Sequence, residues 1–288
     1  MYSFFKHALL LLLLTLAAPQ ELWAQYHFEQ LKADFLDPNS SQVMVAAHRA
    51  VHHEYPENSL PSIQQAIEMG VHIIEIDVKV STDGVPFLMH DGTVDRTTNG
   101  SGDPEKMNWK ELQALSLLHN GKVTPYKIPS LEEVLTLADD KILIDLDLKT
   151  TKIQPIIRLV EQSATEDQVF FFDSDYEVLE EVQKANDALM LMPRAYSLEM
   201  ADSALQRFTP EVVHIDPSFN SAETVSLIKS HGSRVWINAL GDTDKALARA
   251  KGEESLEQLL QYGANIVQTD EPALLLKLVE PLAESTER

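Results

Sequence analysis

Nine short runs of apolar, largely β-branched residues punctuate this chain and limit its possible folds more than any other feature. They are Val43–Arg49, His72–Val80, Val85–His90, Lys141–Lys149, Gln168–Asp173, Ala188–Pro193, Val212–Asp216, Arg234–Ala239 and Asn265–Asp270. Stretches such as Ile142–Ile144 and Val169–Phe172 are apolar without a break, which suits strands covered on both faces. Helical patterns fill most of the gaps. Ser59–Met69 carries Pro61 near its start and Gly70 just past its end, the usual N-terminal proline and C-terminal glycine of a helix. Asn108 and Ser130 each precede a glutamate by three residues (Glu111 and Glu133), the spacing of a capping box. Glu271-Pro272 opens the last helix, where proline's missing N–H does no harm. Between the second and third runs lies Ser81-Thr82-Asp83-Gly84, and Asp-Gly between alternating strands marks a hairpin. Val85–His90 is therefore expected to turn back antiparallel. The remaining eight strands alternate with helices, which predicts an α/β chain closed into a (β/α)8 TIM barrel, with a β-hairpin insertion after the second strand. A doubly wound open sheet is the competing arrangement. No repeat, low-complexity tract or linker divides the chain, so residues 25–288 are expected to form one domain.

The first residues read as a targeting segment. Lys6 precedes an apolar run from Ala8 to Ala18, too short to cross a bilayer, and a polar stretch follows. This pattern predicts a secretory signal peptide over residues 1–24, cleaved after Ala24, and a secreted or periplasmic product with no stable membrane insertion of the mature chain. The chain has no cysteine, which excludes disulfides, thiolate chemistry and a lipidated N-terminal Cys. Its 45 acidic and 23 basic side chains leave a net charge of -22. Such a surface excludes a general electrostatic footprint for nucleic acid and disfavours anionic bilayers. An anionic substrate would need a local positive spot.

In a barrel the chemistry gathers at the C-terminal ends of the strands. Glu75-Ile76-Asp77 places two carboxylates on one face of the second strand, and Asp145-Leu146-Asp147-Leu148-Lys149 repeats the device on the next barrel strand. Aspartate in a buried apolar strand is costly, and neighbouring carboxylates repel unless a cation lies between them. Oxygen donors without thiolates point to a hard divalent ion, Mg²⁺ or Ca²⁺. Pairing of Glu75 and Asp77 with Lys79 or Arg49 is the alternative. His48, ending the first strand, and His90, returning with the hairpin, can serve as general acid and base, because imidazole titrates near neutrality. Arg49 and Lys149 supply the positive spot for a phosphate. The other eight histidines are treated as structural.

His48-Arg49, Pro56-Glu57-Asn58-Ser59, Glu75-Ile76-Asp77 and His90-Asp91 resemble the signature of the glycerophosphodiester phosphodiesterase family. Arg96-Thr97-Thr98 with Gly100, Asp147-Leu148-Lys149, Trp236-Ile237-Asn238 and Thr269-Asp270-Glu271-Pro272 look like its later motifs. The resemblance runs from about residue 44 to 275. It implies a barrel hydrolase that cuts glycerophosphodiesters to glycerol 3-phosphate and an alcohol. It also implies one divalent cation on Glu75, Asp77 and Asp147, an acid–base pair of His48 and His90, Arg49 and Lys149 on the phosphate, and Trp236 as a wall of the substrate pocket. Ala50 stands where the family has glycine, and Asp147 is one methylene shorter than the family's glutamate. These departures keep open a catalytically decayed binding protein, beside a phospholipase of related type acting on intact lipid. No P-loop, dinucleotide loop, His-Glu-x-x-His or EF-hand pattern is present.

Overall fold

A computed structural model describes residues 27–249 and 252–286; the expected signal segment, 1–24, lies outside them. After a helix α1 over residues 27–36 come β1 (Met44–Ala47), α2 (Leu60–Met69), β2 (Ile73–Val80) and β3 (Pro86–Leu88). There follow α3 (Trp109–Ala114), the two-residue strands β4 (Leu118–His119) and β5 (Lys122–Val123), α4 (Leu131–Ala138) and β6 (Leu143–Leu148). The second half runs α5 (Ile153–Ser163), β7 (Val169–Asp173), α6 (Tyr176–Ala185), β8 (Met190–Ala195), α7 (Leu198–Phe208), β9 (Val212–Ile215) and α8 (Ala222–Ser230). It ends with β10 (Arg234–Asn238), α9 (Asp242–Leu247), α10 (Gly252–Leu260), β11 (Ile266–Thr269) and α11 (Pro272–Thr286). Strands β1, β2, β6, β7, β8, β9, β10 and β11 pair in parallel, and β1 closes the ring by pairing with both β2 and β11. The closed eight-stranded barrel is the expected fold, and all nine expected strands are present.

The local signals act as read. Ser59, Asn108 and Ser130 close capping boxes on α2, α3 and α4, and Gly70 ends α2 in the left-handed conformation at φ 74°. The hairpin turn is held by Ser81, whose hydroxyl accepts from Val85 N at 2.9 Å and donates to Asp83 Oδ1 at 2.7 Å. Strand β1 reaches only to Ile74 along β2, so β3 takes the edge left free, Val78 opposite Leu88. That pairing carries His90 back to the barrel mouth.

Side-chain parity divides the core in two. Alternate residues such as Val45, Ile74, Ile144 and Phe171 face outward and pack under the helices. Their neighbours Met44, Ile73, Leu143, Phe170, Met190, Val212, Trp236 and Ile266 fill the N-terminal half of the interior, together with Phe28 and Phe35 of α1. Phe35 stacks on Phe170 with ring centres 5.1 Å apart, so α1 plugs the end opposite the mouth. Arg234, fully buried, ties this plug down. Its guanidinium donates to Asp34 O at 2.5 Å, Gln42 O at 2.7 Å and Asn265 O at 2.9 Å. Burial lowers its pKa to about 10, which leaves it charged at neutral pH.

Replacing this residue, Arg234→Met, strips three backbone carbonyls of their donor, and an unpaired buried acceptor costs on the order of 1 kcal/mol or more. The expected outcome in urea unfolding is a loss of about 3 kcal/mol, with faster amide exchange over residues 27–36. An unchanged midpoint would contradict the assigned role.

Candidate active site

The parallel register of β2 and β6 sets Glu75 opposite Asp145 and Asp77 opposite Asp147, so four carboxylates share one patch of the interior wall. One oxygen each from Glu75, Asp77 and Asp147 falls within 4.8 Å of the other two. Glu75, Asp77 and Asp145 are 2%, 1% and 1% exposed, so water does little to separate their charges. Burial, reinforced by Asp77, Asp147 and Asp145, pushes the Glu75 carboxyl well above its usual range. Burial likewise raises Asp147 to about 6, although Lys149 works against it. Asp145 is raised by burial and then by Asp147. Such a cluster holds protons or a cation. Three hard oxygens converging on one point suit a divalent ion. The shorter Asp147 still brings its oxygen into the group, so the residues present fit one.

Local backbone conformation holds the cluster. Arg49 and Ala50 follow β1 in the left-handed region, at φ 52° and 62°. This fold of the chain aims Arg49 N at Glu75 Oε2, 2.8 Å away. An alanine in that conformation costs on the order of 1 kcal/mol relative to glycine, and Ala50 accepts the strain while 1% exposed. Asn58 receives and returns hydrogen bonds with Asp77: its amide donates to Oδ2 at 2.7 Å and its oxygen accepts from Asp77 N at 3.1 Å. Glu57 joins Arg49 at 2.9 Å to Arg96 at 2.7 Å. The Pro56–Ser59 motif is thus a brace, with Ser59 starting α2 behind it.

His48 and His90 line one cavity of about 160 Å³ with Glu75, Asp77, Asp147 and Lys149. His48 Nδ1 lies 2.8 Å from Asp270 Oδ1, and its Nε2 lies 4.0 Å from Glu75 Oε2. His90 Nδ1 lies 2.7 Å from Asp91 Oδ1. Asp91 in turn accepts from Arg96 Nε at 2.6 Å, and this bond chiefly holds its carboxyl far below the usual range. Each imidazole therefore has a carboxylate on Nδ1, which fixes the ring and leaves Nε2 for chemistry. Lys149 Nζ sits 2.5 Å from Asp147 and 3.5 Å from Asp77. Burial opposes its charge, yet Asp147 and Asp77 keep its pKa above the ordinary lysine value.

Two expected residues lie elsewhere. Arg49 does not line the cavity; it stands behind Asp77, with Nε 3.4 Å from Oδ2, and is bound to Glu57. Trp236 is fully buried in the barrel interior and is no wall of the cavity. It precedes Asn238 by two, so it faces the same way one layer deeper, where Nε1 donates to Asn238 Oδ1 at 3.0 Å. Lys79 donates to Lys149 O at 2.8 Å rather than pairing with Glu75 or Asp77. Among the lining and bracing residues not singled out as site residues are Asp145, Arg194, His214 and Asp270. Arg194 continues the inward parity of Met190 and Met192 one residue past the strand end read as Pro193. Its guanidinium pairs with Asp216 at 2.5 Å. His214 was among the histidines set aside, and burial, then Arg194, drives its pKa well down.

Comparison with known proteins follows the same lines. The sequence profile of the Glycerophosphoryl diester phosphodiesterase family matches residues 48–274. A glycerophosphodiester phosphodiesterase from Caldanaerobacter subterraneus is 26% identical over 249 residues, covering 83% of this chain and 98% of the relative. The crystal structure of a glycerophosphoryl diester phosphodiesterase from Parabacteroides distasonis superposes with a TM-score of 0.76 at 23% identity, over 88% of this chain and 92% of that one. An Oleispira antarctica phosphodiesterase, solved with the product sn-glycerol-3-phosphate, gives 0.72 at 25% identity, over 82% and 96%.

The raised carboxyls make a stability prediction for the metal-free protein. A carboxyl whose pKa is higher folded than unfolded favours folding when protonated, so stability falls as pH rises through the folded value. Glu75→Gln removes that loss and keeps an acceptor for Arg49 N. In urea unfolding with chelator, the variant is expected to exceed wild type in stability near pH 8, and the gap is expected to close toward pH 4. A variant less stable than wild type at both ends would contradict it.

Proposed function

The chain belongs to the glycerophosphoryl diester phosphodiesterase family and is an enzyme of it, and on that premise we propose that it hydrolyses glycerophosphodiesters to glycerol 3-phosphate and an alcohol. One divalent cation, Mg²⁺ or Ca²⁺, sits on Glu75, Asp77 and Asp147, and His48 and His90 form the acid–base pair. The observation that carries this reading is the meeting, in one small cavity, of a buried carboxylate cluster with two imidazoles each braced through Nδ1. The bound ion would polarise a phosphoryl oxygen as a Lewis acid.

The chain's own groups do the rest. Lys149, facing the cavity, places a positive charge beside the phosphate, where charge grows on the way to a pentacovalent transition state. Arg194 adds a second from β8, two strands along the barrel, while Arg49 works from behind by holding Asp77 and Glu57. One imidazole Nε2 takes the proton of the attacking hydroxyl as its oxygen bonds to phosphorus. The other gives a proton to the alcohol oxygen as the second P–O bond breaks. The carboxylates of Asp270 and Asp91 stabilise each ring while it is protonated. Ala50 and Asp147 leave this arrangement intact, which favours an active enzyme over a decayed one.

The same reading places the enzyme outside the cytoplasmic membrane, with cleavage after Ala24. It is supported by Lys6 and the apolar run from Ala8 to Ala18 that follows it. No helix among the described residues is long and apolar enough to span a bilayer, which agrees with a soluble diester as substrate.

With glycerophosphocholine as substrate, His48→Ala and His90→Ala are each expected to lower kcat by about 10²–10⁴-fold, with far-UV circular dichroism unchanged. Chelator is expected to abolish wild-type turnover and Mg²⁺ or Ca²⁺ to restore it. Near wild-type rates in either variant would defeat the acid–base assignment, and chelator-resistant turnover would defeat the metal.

A further inference from the structure

Two polar side chains facing the cavity have no partner in the fold and no task in the mechanism above. Asp145 Oδ1 and both ring nitrogens of His214 are buried without a hydrogen bond. The two residues are 1% and 3% exposed, and both line the cavity that holds His48 and His90. An unpaired buried polar group costs about 1–3 kcal/mol, and folded proteins keep few of them. Neither side chain is free to turn away. Asp145 points inward between Glu75 on β2 and Phe170 on β7. The His214 ring is held between Phe172, 5.2 Å away, and Trp236, 6.1 Å away. Asp145 lies two residues before Asp147 on β6, hence one layer deeper than the mouth, and His214 lies likewise before Asp216 on β9. They face the cavity from different arcs of the barrel and form a polar floor.

The geometry points to a hydroxyl-binding floor: Asp145 and His214 take the two free hydroxyls of the substrate's glycerol half while the phosphate lies higher, at Lys149. The inference rests on the function proposed above and adds which half of the diester enters first. A carboxylate accepts an O–H, and a neutral imidazole accepts at one nitrogen and donates from the other. A vicinal diol supplies that set of partners. A quaternary ammonium head group has no donor and would leave both residues unpaired. The packed apolar interior lies beneath the floor, so a head group of variable size belongs at the open side, where Tyr196 is 51% exposed.

Calorimetric binding to the metal-loaded full chain tests this with sn-glycerol 3-phosphate, 2-hydroxyethyl phosphate, ethyl phosphate and inorganic phosphate. Wild type is expected to prefer glycerol 3-phosphate to ethyl phosphate by about a hundredfold, roughly the worth of two hydrogen bonds, one for each hydroxyl. The single-hydroxyl ligand is expected to fall between them. Asp145→Leu and His214→Phe, which keep the volume and lose the polar atoms, are each expected to cut that preference about tenfold. For His214→Phe, ethyl phosphate affinity and the affinity for Mg²⁺ alone are expected to move by less than about threefold. For Asp145→Leu, which also removes a charge beside the cation, only the preference is read, each ligand taken relative to ethyl phosphate on the same variant. Equal losses for every phosphate ligand would show a structural role only, and an unchanged preference would show that water serves these groups; either overturns the floor. Turnover of glycerophosphocholine is read separately. A wild type that keeps the preference yet hydrolyses no diester refutes the proposed activity and leaves the floor standing.

Discussion

Carboxylates that share a dry wall repel one another, and everything near the mouth of this barrel answers to that fact. Glu75, Asp77, Asp145 and Asp147 are brought together by strand register alone, since parallel pairing sets residue opposite residue on β2 and β6. Burial leaves little of the water that would screen them on a surface. The fold supplies compensation one group at a time: the amide of Arg49 to Glu75, the amide of Asn58 to Asp77, the ammonium of Lys149 to Asp147. Each of these lies on a different connection or strand end. The left-handed backbone at Arg49 and Ala50 belongs to the turn that presents a peptide N–H to Glu75. Yet the carboxyls of Glu75, Asp145 and Asp147 remain raised, so the compensation is incomplete for want of a further positive charge. A divalent ion is the charge that fits.

The two halves of the barrel interior divide the labour. Toward the N-terminal ends the inward residues are apolar or aromatic and packed against α1, and the guanidinium of Arg234 locks that plug through carbonyls. Toward the C-terminal ends the inward residues turn polar on every strand but β7, which presents Phe172. A destabilising mouth is tolerable because the opposite end is over-determined. This is the arrangement in which the catalytic ends of barrel strands can vary while the core keeps the fold. The braces continue outward as linked ion pairs, Arg49 to Glu57 to Arg96 to Asp91 to His90, which tie the loop after β1 to the hairpin.

Much of this was legible before any coordinates. Unbroken apolar runs marked the strands, Asp83-Gly84 marked the hairpin, and two capping pairs with the Pro61 and Gly70 signals marked helix ends, because each is a local signal with a local cause. Polar residues interrupting buried strands marked Glu75, Asp77 and Asp147 for the same reason. What escaped was non-local. Asp270 meets His48 across 222 residues, and Arg234 meets Asp34 across 200, with nothing in either neighbourhood to announce the partner. Arg194 was missed because the strand was ended at Pro193, where apolarity stops, although inward parity continues. Trp236 was placed at the mouth by motif likeness, whereas the two-residue step to Asn238 sets it one layer down. The strands β4 and β5, two residues each, are too short to leave a pattern.

The account stands on a single cation among three side chains. A crystal of the full chain grown with Mn²⁺, a hard divalent ion with a usable anomalous signal, measures this directly. One anomalous peak bonded to Glu75, Asp77 and Asp147, with the Nε2 atoms of His48 and His90 facing the same side of it, is the expected result. Occupied density elsewhere with none among these carboxylates, or imidazoles turned away from the peak, would contradict it.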